Sequence, residues 1–320
     1  MSTSQNLPEK FLARLEELYP QDVLSGVLRA YEQKIAPSFR VNTLKATTDE
    51  VRDILFALGY EITPVSWYKD AFVMHNKSIR ELTETDIYIK GCIYIQNLSS
   101  MIPALVMDPQ RDEKILDIAA APGSKTTQIA ALMQNTGELT ANDLSYKRLF
   151  KLRENISQAG VTNAKVLNLP GESFWKQLPE YFDRTLVDVP CSMEGRMLAT
   201  DPKTYKDWST KKVKQLSKLQ KYLLRSAISC TKPGGTIVYS TCTLSPEENE
   251  EVVEWAIEKA NGAVVVEKIV LPEIPLMQGL TQWRKKTFNH VANTARVVPS
   301  LTMEGFYIAK LHKISSTLPI

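Results

Sequence analysis

Two thiols, two carboxylates and a lysine fall where a ligand-binding sheet would present them. Asp188-Val189-Pro190-Cys191-Ser192 and Ser240-Thr241-Cys242-Thr243 each close a short apolar run, DRTLVDV and TIVYST, of the kind that makes a buried strand. If those strands share one sheet, Cys191 and Cys242 meet at one crevice, where a thiolate of lowered pKa can act as nucleophile and Lys125 is a nearby cation. Taken singly, a cysteine is more often a small buried hydrophobe, and Cys92 and Cys230, which lack such placement, keep that reading. None of the four belongs to a CxxC pair or has a histidine at metal spacing, so free thiols and no metal are expected.

The strand KILDIAA runs into Ala119-Ala120-Ala121-Pro122-Gly123-Ser124-Lys125, small residues that let a ligand approach the backbone. A helix follows at once, and its first amides favour negative charge. The loop is neither GxGxxG nor a Walker loop. Asp143 stands about twenty residues on, the offset at which an acid reaches ribose hydroxyls in nucleotide-binding α/β folds. It can equally cap the helix SYKRLFKL, and one carboxylate can do both.

The elements that would position these groups follow from periodicity. From about Asn97 onward apolar strands alternate with amphipathic helices, which predicts a doubly wound, parallel α/β sheet with its ligand at the strands' carboxyl ends. Before that the chain is a small mixed unit. PEKFLARLEELY and VLSGVLRAYEQKI have helical spacing, SFRVNTLK alternates, Thr47 to Glu50 forms a capping box, and EITPVSW, AFVMHN and DIYIKGCIYIQ look like strands. The helix after Trp208 puts Val213, Leu216, Leu219, Leu223 and Leu224 on one face, with Lys211, Lys212, Lys214, Lys218, Lys221 and Arg225 outside. A further helix is expected from Ser245.

At 320 residues, with 43% hydrophobic and 23% charged residues, the chain can bury a core without disulfides and is not a disordered or fibrous sequence. No eighteen-residue apolar run and no apolar signal core are present, so a cytoplasmic address and no membrane are expected. Net charge is +3, but residues 201–232 hold 9 Lys/Arg against 2 Asp/Glu, while residues 1–91 hold 11 against 13. Such a regional cationic stripe can lie along phosphates, although a solvated helix face has the same look.

LDIAAAPGSKTTQ, FDRTLVDVPCSMEG and KPGGTIVYSTCTLSPEENE, in that order, resemble the cofactor and catalytic motifs of the Sun/Nop family of RNA cytosine-5 methyltransferases. The likeness extends through SFRVNTLK, YIQNLSSM, RVVPS and GFYIAKL, and the pairing of PCS with STCT separates it from DNA cytosine-5 methyltransferases. The resemblance implies a ferredoxin-like α+β, RNA-associated domain over residues 1–96. It implies a Rossmann-like methyltransferase domain over 97–320, on a mostly parallel seven-stranded sheet, with S-adenosylmethionine as donor. Ala119 to Lys125 would then hold the methionine end, Asp143 the ribose, and Asp188 the base at the cofactor's edge, while Cys242 would be the nucleophile and Cys191 the thiol that helps the product leave.

The expected partner is RNA, ribosomal before transfer RNA, because the motifs look closest to bacterial enzymes acting on the small ribosomal subunit; a monomer is expected. Lys212, Lys214, Lys218 and Lys221, with Arg284-Lys285-Lys286, are the candidate phosphate contacts, and Arg40 and Asn42 are placed at the domain junction or on RNA. Two departures stand out. Where the family has an acidic residue before Gly to hold the adenine amine, this chain has Pro170-Gly171, leaving Glu172 or packing alone for that task, and Ser300 replaces a His after Pro299. Rival readings are a transfer RNA enzyme, a non-catalytic RNA-binding or ribosome-assembly protein that kept the fold, and a small-molecule methyltransferase.

Overall fold

The computed structural model describes residues 6–271 and 273–318. Helices α1 (Glu9–Leu18) and α2 (Gln21–Ala30) open the chain, each bearing an apolar stripe. A split βαβ unit follows: β1 (Ser38–Val41), α3 (Thr48–Ala57), β2 (Ile62–Val65), β3 (Tyr68–Met74), the short helices α4 (Ile79–Thr83) and α5 (Asp86–Ile89), and β4 (Ile93–Ile95). Its antiparallel sheet has the order β2-β3-β1-β4, which is the ferredoxin-like arrangement. The capping box forms as the sequence predicts, Thr47 accepting from the Glu50 amide while the Glu50 carboxylate accepts from Thr47 N. The DIYIKGCIYIQ stretch is not one strand: DIYI coils as α5 because Gly91, at φ 74°, turns the chain and leaves only Ile93–Ile95 to pair.

The larger unit begins with α6 (Leu98–Met107) and alternates β5 (Lys114–Asp117), α7 (Ser124–Leu132), β6 (Glu138–Asn142), α8 (Tyr146–Ala159), β7 (Ala164–Leu167), β8 (Phe182–Asp188), α9 (Thr210–Cys230), β9 (Thr231–Thr241) and α10 (Glu250–Lys259). Short strands β10 (Val264–Glu267), β11 (Leu276–Gln278), β12 (Gln282–Trp283), β13 (Lys286–Thr287) and β14 (Ala295–Val297) lead to β15 (Phe306–Lys313). Five strands are parallel, in the order β7-β6-β5-β8-β9. β15 then runs antiparallel beside β9, β14 and β10 divide its far edge, and β11 pairs with β14. The sheet thus has nine strands where seven were expected, since two short strands share one edge position and a third extends it. The helix predicted from Ser245 starts at Glu250, after a turn.

Adjacent strand residues enter opposite faces, as a period of two requires: Leu116, Val187 and Ile237 join the core with α1, α2, α9 and α10, whereas Ile115, Leu186 and Val238 join the one with α6 and α7. The first of these cores contains Phe11, Leu15, Leu24, Val27 and Tyr31. Although the sequence groups α1 and α2 with the N-terminal unit, they pack on the large sheet's helices. Arg14 fixes them there by bonding Ser245 and Glu247.

Arg40 joins the two units. Its side chain is fully buried, donates to Gln96 Oε1 (2.9 Å), Ser124 O (3.1 Å) and Thr127 Oγ1 (2.7 Å), and lies over the Tyr94 ring. Asn42 likewise donates to Gly91 O and Ala159 O across the junction. Arg40 is therefore a junction residue and not an RNA contact, because no part of it reaches solvent. Replacing Arg40 by Met strands buried acceptors at three places, so Arg40→Met should lose about 2 to 4 kcal/mol in denaturant unfolding; a loss below about 1 kcal/mol would contradict this role.

Candidate active site

β8 and β9 are parallel neighbours with Asp188 opposite Ser240, so the residues following them leave the sheet side by side. Cys191 Sγ and Cys242 Sγ come within 3.1 Å as free thiols. The Cys242 contact, followed by burial, pushes the Cys191 thiol well above its ordinary range. Beside them Asp188 accepts from Lys125 Nζ at 2.7 Å and from Ser240 Oγ at 2.7 Å, while Lys125 also donates to Ser100 Oγ at 2.8 Å. The lysine side chain is 6% exposed and the aspartate 31%, so the carboxylate is fixed from below and open above. That geometry leaves a hydrogen-bonding edge toward a flat polar ring.

Two buried carboxylates support the thiols. Glu194 accepts from Trp208 Nε1 (2.9 Å), Thr243 Oγ1 (2.9 Å), Leu244 N (3.1 Å) and Ser245 Oγ (2.6 Å), tying the loop after β8 to the loop after β9. Glu248 accepts from Ser192 N (3.0 Å) and Gln220 Nε2 (2.8 Å), and Gln220 also donates to Pro190 O. Gly195 N donates to Cys242 O (3.0 Å), and Gly195 is required there because a Cβ would lie 2.0 Å from Gly305 O. None of these supports was singled out in the sequence. Only MEG within FDRTLVDVPCSMEG and ENE within KPGGTIVYSTCTLSPEENE mark the place of Glu194, Gly195 and Glu248, and a buried acid cannot be told from a surface one without its partners.

At the opposite side of Asp188 the small-residue loop Ala119 to Gly123 passes from β5 into α7. Gly123 has φ 108° and lies close on Leu152 of α8. Asp143, just past β6, accepts from Ala121 N (3.2 Å) and from Ser145 N (2.9 Å) and pairs with Arg148 at 3.2 Å, so it braces the loop and the start of α8 together. Asp117 ends β5; Thr126 donates to one oxygen, and the other is buried without a protein partner among the described residues. Pro170 and Gly171 cap the same edge, with exposed Glu172 beside them.

The cationic face is more committed than expected. Lys214 and Lys218 are exposed, whereas Lys221 pairs with Glu251 at 3.0 Å and that carboxylate also holds Lys286 at 2.7 Å. The four lysines line one groove with Glu247 and Glu251, so the stripe on α9 and the 284–286 segment, apart in sequence, meet here. Arg284 is tied to Glu17. Lys212 is half-buried, and Leu219, placed on the apolar face by spacing, is 36% exposed; Ser217 and Gln220 take the inner positions and bond Glu247 O, Pro190 O and Glu248. Among the described residues no cluster of three or more metal-binding side chains occurs and no helix is long and apolar enough to cross a membrane.

A family model described as 16S rRNA methyltransferase RsmB/F matches residues 104–312, and one for the N-terminal domain of 16S rRNA methyltransferase RsmF matches residues 7–98. The chain belongs to the RsmB/F family. It is 38% identical to ribosomal RNA small subunit methyltransferase F of Cronobacter sakazakii and 37% to that of Klebsiella pneumoniae, over 98% of this chain and 65% of each relative. The chain thus spans about two thirds, 65%, of these curated relatives' length. A crystal structure of a methyltransferase homologue from Pyrococcus horikoshii superposes with a TM-score of 0.78 at 31% identity, covering 96% of this chain and 100% of that one. The RsmB/F matches span both units, so the ferredoxin-like part belongs to the family as well as the sheet.

Burial raises both Asp117 and Glu248 to about 7, with Asp188 adding to the first and Glu194 to the second. Such acids bind their proton more tightly folded than unfolded, so their stabilising contribution is complete below the ordinary carboxylate range and lost as pH rises toward 7. Unfolding of wild type and Glu248→Gln across pH 4.5 to 7 should therefore diverge, wild type losing up to about 1.4 kcal/mol per pH unit more than the variant. Parallel stability curves would contradict the buried acid.

Proposed function

We propose that this protein methylates C5 of a cytosine in small-subunit ribosomal RNA, with S-adenosylmethionine as donor and a transient Cys242–C6 bond, acting as a cytoplasmic monomer. The observation that carries the reading is the 3.1 Å thiol pair set beside the Lys125–Asp188 ion pair at two neighbouring strand ends.

The residues present fit the donor. The unpartnered Asp117 oxygen and the partly exposed, small-residue loop Ala119 to Gly123 suit the ammonium-bearing methionine end, Asp143 suits ribose hydroxyls, and Pro170-Gly171 with Glu172 borders the adenine. Bound there, S-adenosylmethionine supplies an electrophilic methyl group. Every other step belongs to the chain and the base.

Cys242 attacks as its thiolate, while Cys191, 3.1 Å away and with its thiol pushed well above the ordinary range by the Cys242 contact and by burial, keeps its proton beside it. Addition of the Cys242 thiolate to C6 makes C5 enamine-like and able to take up the methyl group. Asp188, held by Lys125 and Ser240, accepts from the base's exocyclic amine and so orients the ring for attack at C6. Forming the thioether removes the hydrogen bond between the two sulfurs, the first cause of the raised Cys191 pKa, so Cys191 can now release its proton to solvent. Its thiolate takes the C5 proton as the C6–S bond breaks, which restores Cys191 as thiol and Cys242 as thiolate and leaves one proton released per turnover.

Two outcomes test the roles. Cys242→Ala should abolish transfer and form no adduct, whereas Cys191→Ala should accumulate a protein–RNA species on a denaturing gel; the reverse pattern exchanges the roles. Bisulfite sequencing of small-subunit RNA from cells with and without the gene identifies the cytosine, and an unchanged map would refute the substrate. For the stripe, Lys214→Gln with Lys218→Gln should reduce the log–log salt slope of RNA binding by about 0.7 to 0.9 for each phosphate left without its lysine. Turnover at saturating RNA should persist, and an unchanged slope returns those lysines to a solvated face.

A further inference from the structure

A cleft of about 460 Å³ lies between the ferredoxin-like unit and the catalytic loops. Its walls include Lys34 and Ile95 from the first unit, Asn97 at the junction, and Arg196, Leu198 and Glu304 from the loops beside the thiols. The volume is within the range that holds one small ligand, of about 300 to 1,000 Å³. The lining is mixed, with branched apolar side chains on which a flat ring can lie and cations at the edge.

One residue links this cleft to the chemistry. Gly195 N is bonded to Cys242 O, Gly305 N is bonded to Gly195 O, and the next residue outward on each strand of that contact is Arg196 or Glu304. Those two form an ion pair at 3.2 Å, the arginine 50% exposed and the glutamate 17%. Arg196 bonds Glu304 through Nε, which leaves its terminal Nη donors without a described partner. Glu304 first, then Cys242 and Cys191 after the opposing effect of burial, hold this guanidinium more firmly protonated, which places both sulfurs within its field. Asn97 spends its oxygen on Ser99 N, and Lys34 is exposed.

We propose that this cleft holds the nucleotide adjoining the target cytosine, its base against Ile95 and Leu198 and the phosphate between the two nucleotides on Arg196. The assignment rests on the methyltransferase reading above. A base drawn out of its stack toward Cys242 leaves its backbone at the mouth of the thiol site, where the anion most in need of a partner is the linking phosphate, and a planar guanidinium with free terminal donors matches it. Glu304 sets the guanidinium's direction from the other side, so little ordering remains to be done when RNA arrives. Selectivity for the neighbouring base then resides in this cleft, apart from the cytosine contacts.

The test uses the full chain, saturating S-adenosylmethionine and small-subunit ribosomal RNA, with tritium transfer as the readout. Arg196→Met should raise the KM for RNA by roughly tenfold or more, the loss expected for one charged hydrogen bond, while kcat stays within about twofold. Arg196→Lys should restore most of the loss. Leu198→Trp, which fills the cleft, should also raise KM, and calorimetry should show S-adenosylhomocysteine binding unchanged in all three. In a synthetic fragment, a neutral methylphosphonate next to the modified cytosine should weaken wild type by the same factor and cost Arg196→Met nothing more.

An Arg196→Met enzyme with wild-type KM, or losses from variant and methylphosphonate that multiply, would overturn the assignment. If Arg196→Met does not fold, the methylphosphonate and Leu198→Trp results decide alone. A wild-type enzyme that methylates RNA while ignoring both changes defeats only the cleft; one that methylates no RNA defeats the function and the cleft together.

Discussion

The position of both thiols depends on one buried carboxylate. Glu194 receives four donors, two of them hydroxyls from Thr243 and Ser245, one an amide from Leu244 and one the indole of Trp208. A carboxylate without solvent is costly unless its lone pairs are filled, and here three of the four filling groups are drawn from the loop that carries Cys242 while the carboxylate itself follows Cys191. The cost of burial thereby enforces the approach of two loops that parallel strands would otherwise only deliver to the same rim. Ser245 passes the constraint on to Arg14, so the first helix is part of the same brace.

This brace explains why α1 and α2 do not behave as an appendage of the ferredoxin-like unit. Phe11 packs edge-on against both Tyr31 and Trp208, and Trp208 is the residue whose indole Glu194 holds. The N-terminal helices, the approach to α9 and the loop after β8 are thus one packed body. Arg296 and Glu250, almost fully enclosed and joined by two short bonds, close the other flank, with Arg296 also donating to Leu244 O. An arginine removed from water in this way needs its planar fork fully engaged, and it is.

Much of the frame was legible in the sequence because it follows from short-range rules. Apolar runs ending in Asp188 and Ser240, the capping box at Thr47, and the small-residue turn before Ser124 each carry their own signal within a few residues. What could not be read depends on partners far along the chain. Arg40 looks like any basic strand residue until Thr127 and Gln96 appear around it, and Glu194 and Glu248 look like surface acids until donors some fifty residues away are counted. Leu219 has the spacing of a core residue, yet its position is given to solvent because Gln220 and Ser217, though polar, have loop carbonyls to satisfy. The short α5 defeats alternation because four residues are too few to separate a helical turn from a strand.

Arg40 has a mechanical meaning as well. A single guanidinium connects the central strand of the small sheet to the first turn of α7, the turn that issues directly from the loop assigned to the donor. Force applied to the small unit by a large, stiff ligand is therefore delivered to the floor of the other pocket with no compliant joint between. Such a lever works in both directions: whatever free energy one occupant contributes to the fit of the second, the second returns in equal measure to the first.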